Sequence, residues 1–327
     1  MKTLNIVGCG RVGKTLAHLW HQHGALQVQD IVTRSAVSAD VAVAFIGVGR
    51  ACGTVAEMRP ADLWMLAVPD AALAEVAQQL YDQLQGSSPK CSTDQDTNGV
   101  LGAIAAAPAH LPDSTTAPPT QTLSKRPVSS PDLASRGMQS APPIAFHCSG
   151  ALGSDLLAPL QALGWHTASA HCLLSFATPQ IAVAQFAGTA CALEGDAVAR
   201  TVLEPLLTAI GAQCFALQSD QKLLYHAAAV FATNFLPVLQ SVAEDLWRDT
   251  GVPAEMIHAL RASLLANAVS NITALGPRKA LTGPAARGDV AAIARQGAAV
   301  TEWSDDAGTA YLALSQLALD MARTAKG

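Results

Sequence analysis

The segment Thr3–Thr15 reads TLNIVGCGRVGKT and predicts a strand, a glycine-rich turn and a helix, in that order. Its glycines Gly8, Gly10 and Gly13 fit GxGxxG, a turn that lets a dinucleotide pyrophosphate approach the backbone at a helix N-terminus. The same letters, with the lysine and threonine that follow, also fit GxxxxGK[ST], a P-loop in which lysine reaches phosphates and threonine holds magnesium. Both motifs need a strand before and a helix after them, so this segment alone does not choose between them.

The sequence beyond the turn favours the dinucleotide interpretation. A second strand is predicted at Gln27–Thr33, about 20 residues on, where a dinucleotide fold brings its next strand to the ribose. The residues that follow, Thr33-Arg34-Ser35, include no carboxylate, and an arginine flanked by hydroxyls suits a 2′-phosphate. NADP is therefore expected rather than NAD, which stays possible. The alternative is that Arg34 is simply a solvated loop residue.

A P-loop enzyme needs a further acidic residue at the end of an apolar strand. Asp70 follows the apolar run Leu63–Val68, but Pro69 lies between them and weakens Asp70 as a magnesium ligand. The predicted cofactor-binding residues are those of the glycine loop, the end of the second strand and the end of this strand. They are Gly8, Cys9, Gly10, Arg11, Val12, Gly13, Thr33, Arg34, Ser35, Val68 and Pro69.

Short apolar runs alternate with helical patterns up to about residue 218. The predicted strands are Leu4–Val7, Gln27–Thr33, Leu63–Val68, Ile144–His147, Thr189–Glu194 and Gln213–Leu217. The predicted helices between them are Arg11–His23, Ala39–Val48, Ala71–Leu84 and Asp155–Leu163. This alternation indicates an α/β domain with a doubly wound, Rossmann-type parallel sheet, spanning residues 1–218.

From Ser219 onward the strand patterns stop, which predicts an all-helical domain over residues 219–327. Its helices are expected at Asp220–Trp247, with a kink at Pro237, and at Ala254–Ser270, Asp289–Gln296 and Glu302–Ala325. Within the first domain, residues 86–143 hold nine of the chain's 18 prolines and no aromatic residue. Such a stretch cannot bury enough apolar area to offset its ordering entropy and is predicted to be a disordered insertion.

Composition excludes several classes of protein. The 327 residues are 50% hydrophobic and carry a net charge of −5 without any block of like charge, so nucleic-acid binding is not expected. No apolar run reaches 18 residues, so a membrane span is not expected either. A strand pattern begins at Thr3 and leaves no room for a signal peptide. The seven cysteines are scattered without CxxC spacing and indicate reduced thiols in the cytoplasm.

Several stretches together resemble a bacterial family of Rossmann-like proteins whose C-terminal half is catalogued as a domain of unknown function. They are NIVGCGRVG from Asn5, MLAVPD from Met65, FHCSGAL from Phe146, LEGD from Leu193, KLLYHAA from Lys222, ALTGP from Ala280 and RGD from Arg287. The chain departs from the family pattern at His171-Cys172, where His-Pro is usual, and at Gln296-Gly297, where a histidine is expected.

The resemblance implies an architecture similar to pyrroline-5-carboxylate reductase, ketopantoate reductase and the β-hydroxyacid dehydrogenases. That group joins an NAD(P) domain to a helical domain, similar to the C-terminal domain of 6-phosphogluconate dehydrogenase, that often forms a homodimer. The implied activity is an NADP-dependent oxidoreductase acting on a small carbonyl, imine or hydroxy substrate. Two alternatives stay open: a non-catalytic NADP(H)-binding sensor or partner protein and, less expected, a P-loop phosphotransferase.

Three residues are predicted to be catalytic. The β-hydroxyacid dehydrogenases have a lysine followed by asparagine or histidine where this chain has Lys222 and His226, so the resemblance implies acid–base work by Lys222, oriented by His226. These two lie four apart in a predicted helix and share a face, although a surface lysine beside a capping or core histidine is the alternative. Ser149 follows a strand end and could hold a substrate carbonyl or carboxylate, or could be a turn residue.

Two residues are predicted to bind substrate. Arg287 is the best-placed cation for a substrate carboxylate or phosphate, although a loop ion pair with Asp289 would also explain it. His171 could meet the substrate near the junction of the two domains. The pairs His147-Cys148 and His171-Cys172 invite a zinc site, but their spacing is not that of zinc ligands, so no metal is predicted.

Overall fold

The computed structural model describes residues 1–86 and 141–324, and these form two compact units, Met1–Lys222 and the residues from Leu223 onward. The sequence predicted a domain boundary after residue 218. The predicted disordered insertion, 86–143, lies almost entirely outside the described residues.

The first unit is built on an eight-stranded sheet with the order β3-β2-β1-β4-β5-β6-β7-β8. The strands are β1 Thr3–Val7, β2 Gln27–Val32, β3 Arg50–Cys52, β4 Leu63–Leu66, β5 Ile144–His147, β6 His166–Cys172, β7 Ala190–Gly195 and β8 Gln213–Ala216. Strands β1 to β6 are parallel, β7 is antiparallel to β6, and β8 is parallel to β7. The order 3-2-1-4-5 is that of the doubly wound dinucleotide fold and confirms the predicted fold class.

Helices cover both faces of this sheet. They are α1 Arg11–Gln22, α2 Ala36–Ile46, α3 Leu73–Gly86, α4 Ala158–Gln161, α5 Pro179–Gln185 and α6 Ala197–Thr208. One layer of the core joins α1, α2 and α6, with Trp20 fully buried and its indole N–H donating to the Leu206 carbonyl at 2.9 Å. The other layer joins α3 and α4, through Leu80 and Leu160 among others. The sheet is therefore the middle layer of three, and its strand ends form the rim where loops meet.

The first unit contains elements that the sequence pattern did not predict: β3, β6, α5 and α6. Strand β6 reads HTASAHC, which is small and polar, yet Thr167 and Ser169 within it are completely buried. Each has a side-chain partner: Gln161 donates to the Thr167 hydroxyl at 2.6 Å, and Ser169 donates to a buried carboxylate. Both partners lie outside the strand, in α4 and 25 residues further along the chain, so a propensity argument does not find this strand.

The second unit is helical throughout its described residues. Its helices are α7 Lys222–Ala229 (which starts on the last residue of the first unit), α8 Phe235–Asp249, α9 Ala254–Leu275, α10 Pro277–Ala280, α11 Gly283–Arg287, α12 Val290–Trp303 and α13 Asp305–Thr324. A π-helical turn, Val230–Asn234, lies between α7 and α8, just before Pro237, where the sequence predicted a kink. Pro237 has no N–H to donate to the Thr233 carbonyl, which accounts for the irregular turn at this place.

The second unit has little core of its own. Its buried hydrophobic cluster consists of Ala285, Ile293 and Leu319, and Ile257 is the one buried residue of α9. The stretch Ser219–Asp249 reaches a mean hydropathy of 1.3 in its most apolar 18-residue window, and none of that window is buried. By length and composition this helical stretch could span a membrane. The sequence analysis did not suggest this, because no uninterrupted apolar run reaches 18 residues.

Candidate functional site

The glycines of the turn after β1 have three different surroundings. Gly8 has a φ of +77°, and a Cβ there would lie 2.4 Å from Val68 Cγ1 and 2.9 Å from the Ala67 carbonyl oxygen. A Cβ at Gly13 would lie 3.0 Å from Ala67 Cβ, whereas no described atom lies within 4 Å of one at Gly10. Gly8 therefore makes the tight turn, Gly13 lets α1 pack closely, and Gly10 leaves an open surface where a ligand can approach the backbone.

Helix α1 begins at this open surface with its first N–H groups available. Its N-cap is Gly10, no side chain caps it, and its first turn has no acidic residue, which favours an anion at this end. Arg11 is exposed and donates to the Ala177 carbonyl at 3.3 Å, while Val12 is partly buried against the core. Cys9 is buried, and burial, opposed by the charge of Lys14, raises the pKa of its thiol to about 12. Its side chain belongs to the core, so only its backbone can meet a ligand.

The P-loop interpretation of the same motif is wrong for this geometry. Thr15, which would hold magnesium, is completely buried, and its hydroxyl donates to the Arg11 carbonyl at 2.8 Å inside the helix. It cannot coordinate a metal ion beside a nucleotide from there.

The end of β2 presents an exposed cation beside a capped helix. Arg34 and Ser35 are exposed, and the Thr33 hydroxyl donates to the Ser35 carbonyl at 2.8 Å. The Ser35 hydroxyl caps α2 by accepting from the Ser38 N–H at 3.2 Å. The hydroxyls beside Arg34 thus have a structural role, and Arg34 itself extends from the loop that starts α2.

Asp30, the carboxylate nearest this loop in β2, is already paired. It is completely buried and forms ion pairs with Arg50 at 3.0 Å and Arg59 at 2.6 Å. Burial alone would raise the pKa of Asp30, but hydrogen bonds from Arg59 and Arg50 hold it well below its usual range. Asp30 is therefore a structural anion that joins β2 to the segment before β4.

The ends of β4 and β5 meet through a serine and a carboxylate. Val68 is partly buried beside Gly8, and Pro69 and Asp70 are exposed. The Ser149 hydroxyl donates to Asp70 Oδ2 at 2.8 Å and accepts from the Leu152 N–H at 3.0 Å. Ser149 thus fixes the turn after β5.

His147, at the end of β5, is neutral, and both of its ring nitrogens are hydrogen-bonded. The Ser149 N–H donates to its Nδ1 at 3.2 Å, so the proton lies on Nε2, which donates to the Gly153 carbonyl at 2.9 Å. Burial lowers the pKa of the imidazole. Neither nitrogen is left for a metal ion, and no group of three or more metal-binding side chains occurs among residues 1–86 and 141–324.

Lys222 lies at the centre of a buried polar network. It is 1% exposed, and its ammonium donates to the Ser149 carbonyl at 3.1 Å and to the Ser169 hydroxyl at 2.7 Å. Ser169 in turn donates to Glu194 Oε2 at 2.8 Å. Glu194, 3% exposed, also accepts from the Ser154 N–H and hydroxyl, each at 2.9 Å, and from the Ser219 hydroxyl at 2.7 Å. We call this chain of contacts the Lys222–Ser169–Glu194 network.

The network balances two buried charges. Burial lowers the pKa of Lys222, and the nearby carboxylates of Glu194 and Asp70 oppose that effect. Burial raises the pKa of Glu194, but hydrogen bonds from three serine hydroxyls bring it below its ordinary value. A lowered lysine pKa suits acid–base chemistry near neutral pH, and its catalytic role stays a prediction.

Sequence reasoning did not find Ser169 or Glu194. The available signal was a carboxylate at the end of the apolar run Ala190–Leu193, because a charge at the end of a buried strand needs a partner.

The other predicted site residues are placed as follows. His171 is partly exposed in β6, two residues from Ser169 and therefore on the same strand face. His226 lies one turn beyond Lys222 in α7, within the second unit. Arg287 is exposed at the end of α11, and Asp289, its suggested partner, caps α12 by accepting from the Ala292 N–H at 2.9 Å. The substrate-binding and orienting roles of these three residues stay predictions.

Comparison with known proteins agrees with this architecture. Residues 189–318 match the family described as domain of unknown function (DUF2520). The structure is similar to protein TM1727 from Thermotoga maritima (20% identity, TM-score 0.64), with 99% of this chain and 100% of that one covered.

Two enzyme structures are also similar in fold. One is a reductive aminase from Aspergillus terreus in complex with NADPH (15% identity, TM-score 0.59), with 98% of this chain and 94% of that one covered. The other is an imine reductase variant from Myxococcus stipitatus in complex with NAD+ (16% identity, TM-score 0.55), with the same coverage. No curated protein sequence matches this chain. These likenesses establish a Rossmann-type sheet followed by a helical region.

Proposed function

We propose that this chain is an NADP-dependent oxidoreductase that moves hydride between the nicotinamide and a small carbonyl, imine or hydroxy compound. The observation that carries the proposal is the glycine loop: a left-handed Gly8, an open Gly10 and an uncapped α1 N-terminus at the end of β1. An anionic pyrophosphate fits this combination of exposed backbone N–H groups and free space. The likeness to enzymes solved with NADPH and NAD+ supports a nicotinamide cofactor in general.

NADP is the favoured cofactor because of the residues that follow β2. Arg34 is an exposed cation at the place where the ribose is expected, and a guanidinium suits a 2′-phosphate. Asp30 cannot act as the ribose-binding carboxylate of an NAD site, since Arg50 and Arg59 already occupy it.

The nicotinamide, when bound, supplies the hydride chemistry. For the chain's own part, we assign Lys222 to a substrate oxygen or nitrogen. A lysine ammonium has three N–H donors, and two of them go to Ser149 and Ser169, which leaves one for a substrate. Ser149 sets the turn after β5, and its backbone carbonyl positions the ammonium of Lys222. His226 is proposed to assist Lys222 as its orienting residue, and His171 and Arg287 are the proposed substrate-binding residues, Arg287 as the cation for a carboxylate.

The first test is calorimetric titration of the purified protein with NADPH, NADH and ATP–magnesium. We expect NADPH to bind at least about tenfold more tightly than NADH, a difference of about 1.4 kcal/mol, with no binding of ATP–magnesium. Binding of ATP–magnesium alone would overturn the proposal.

A non-catalytic NADP(H)-binding protein is the second candidate, because Lys222 is 1% exposed and already held by two acceptors. A screen of carbonyl and imine substrates with NADPH, followed by Lys222→Met, separates the two. Turnover that Lys222→Met abolishes while NADPH affinity is kept supports the enzyme. NADPH binding without turnover of any substrate favours the sensor.

We further propose that the helical unit forms a homodimer. Its buried cluster of three residues is too small to stabilise seven helices, and large apolar side chains are exposed along α8 and α9, including Val238, Leu264 and Ile272. A second copy would cover these side chains. Sedimentation analysis should give a dimer, and Leu264→Lys should shift it toward monomer. A protein that stays monomeric in water would contradict the dimer. A protein that needs detergent to stay in solution would contradict it too and would favour a membrane as the covering surface.

A further inference from the structure

The first unit contains a polar cavity that the proposed cofactor site does not use. Its volume is about 330 Å³, near the lower end for small-molecule sites, and it is lined mainly by the end of β7, the start of α6 and the residues after β8. The charged groups in its wall are Glu194, Asp196 and Arg200, with Gln218 and Ser219 beside them. None of these residues belongs to the glycine loop or to the ends of β1, β2 and β4.

Arg200 is the unusual member of this wall. Its Nε is buried and has no hydrogen-bond partner, and its side chain forms no ion pair within the part of the chain that the structure describes. An unsatisfied buried donor costs free energy, and more when it is charged. The carboxylates nearby do not relieve it, because their own partners are elsewhere.

The two carboxylates differ in what they can still accept. Glu194 already accepts four hydrogen bonds from Ser154, Ser169 and Ser219, which use its lone pairs. Asp196 pairs with His166 at 3.0 Å through Oδ2 and caps α6 through Oδ1. The Asp196 side chain is 35% exposed, so Oδ2 can accept a further donor. The cavity therefore offers one free cation and one accessible carboxylate that do not pair with each other.

We propose that this cavity binds a small zwitterion of the amino-acid class, with its carboxylate on Arg200 and its ammonium on Asp196. A simple anion would satisfy Arg200 but meet two carboxylates, and a simple cation would meet the guanidinium. A molecule with both charges complements both sides of the wall. Because Glu194 belongs to this cavity and to the Lys222–Ser169–Glu194 network, occupancy would act on the group that balances the charge of Lys222.

The test uses three probes that differ by one charged group: L-threonine, 3-hydroxybutyrate and 1-amino-2-propanol. Each is titrated calorimetrically into the full-length protein, without cofactor. We expect L-threonine to bind at least about tenfold more tightly than either single-charge probe. Arg200→Gln should lose at least about tenfold of that affinity, whereas the control Arg323→Gln, an exposed arginine paired with Asp320, should lose none.

Two further measurements separate this proposal from the cofactor assignment and from a structural role. Arg200→Gln should melt no lower than the wild type, since within the described residues its guanidinium makes no ion pair and its buried Nε makes no hydrogen bond that the variant would lose, and it should keep its affinity for NADPH. Equal binding of a single-charge probe, unchanged L-threonine binding in Arg200→Gln, or no L-threonine binding at millimolar concentration would each overturn the proposal. If the wild type does not bind NADPH, that result would instead count against the proposed oxidoreductase function.

Discussion

Glycine-to-alanine changes in the glycine loop, each adding one methyl group, should separate the effect on folding stability from the effect on ligand binding. Gly10 has φ −75°, a value open to any residue, and no described atom lies within 4 Å of its Cβ position. Gly10→Ala should therefore change the free energy of unfolding by less than about 1 kcal/mol. The added methyl enters the space assigned to the pyrophosphate, and at about 1–3 kcal/mol of overpacking the affinity for NADPH should fall about 5- to 150-fold.

Gly8→Ala should have the opposite profile. Its left-handed φ costs an alanine about 1–2 kcal/mol, and the contacts with Val68 and the Ala67 carbonyl add about 1–3 kcal/mol. Gly24→Ala is the matched control, because Gly24 has φ +62° with no described atom within 4 Å, so it carries the backbone strain without the clash. Urea unfolding and NADPH calorimetry on the three variants measure both quantities. If Gly10→Ala binds NADPH like the wild type, or Gly8→Ala is no less stable than Gly24→Ala, this explanation of the loop is wrong.

Three further predictions concern charged groups. Arg34→Ala should weaken NADPH binding about tenfold or more and leave NADH binding unchanged, as titration with both cofactors would reveal; equal loss for both would remove Arg34 from the 2′-phosphate site. Glu194→Gln should lower the free energy of unfolding by about 1–3 kcal/mol. In a double-mutant cycle, the double variant with Lys222→Met should lose less stability than the sum of the two single variants; strict additivity would argue against coupling of the two residues. The folded-state pKa of Asp30 lies below its unfolded value, so its stabilisation is present at neutral pH and is lost as pH falls below about 4. Asp30→Asn should be less stable than the wild type at pH 7, with the gap narrowing under acid in urea titrations; a gap independent of pH would show that Asp30 is not held as a carboxylate.

The sequence predicts the strands whose burial comes from continuous apolar residues. Strand β4, for example, reads LWML and is completely enclosed, so its pattern has one interpretation. Strand β6 is also largely buried but is stabilised differently, because Thr167 and Ser169 are paired with Gln161 and Glu194. A polar strand of this kind becomes recognisable only when its partners are known, and Glu194 is 25 residues away from Ser169.

The candidate site also has one part that the sequence predicts and one part that it does not. The glycine loop is a local feature, and its three glycines have distinct roles that spacing alone suggests. The placement of Lys222 is not local: its spacing to His226 predicted a shared helix face, but its contacts are with Ser149 in the turn after β5 and with Ser169 in β6. Helical periodicity identifies which residues share a face and cannot identify what that face meets.

The burial of Lys222 bears on why the chain has a lysine there at all. A buried ammonium loses its hydration, and well-packed apolar residues in place of a buried ion pair are often as stable or more stable. Stability alone thus gives little reason to keep Lys222 and Glu194, with Ser154, Ser169 and Ser219 engaged to solvate them. A functional reason is consistent with the geometry, because two donors of the ammonium contact the turn after β5 and the middle of β6, and one remains for a ligand. The test is the double variant Lys222→Met with Glu194→Gln. If it is as stable as the wild type and binds NADPH normally but has lost turnover, the network is kept for chemistry. If it unfolds, the network serves the fold.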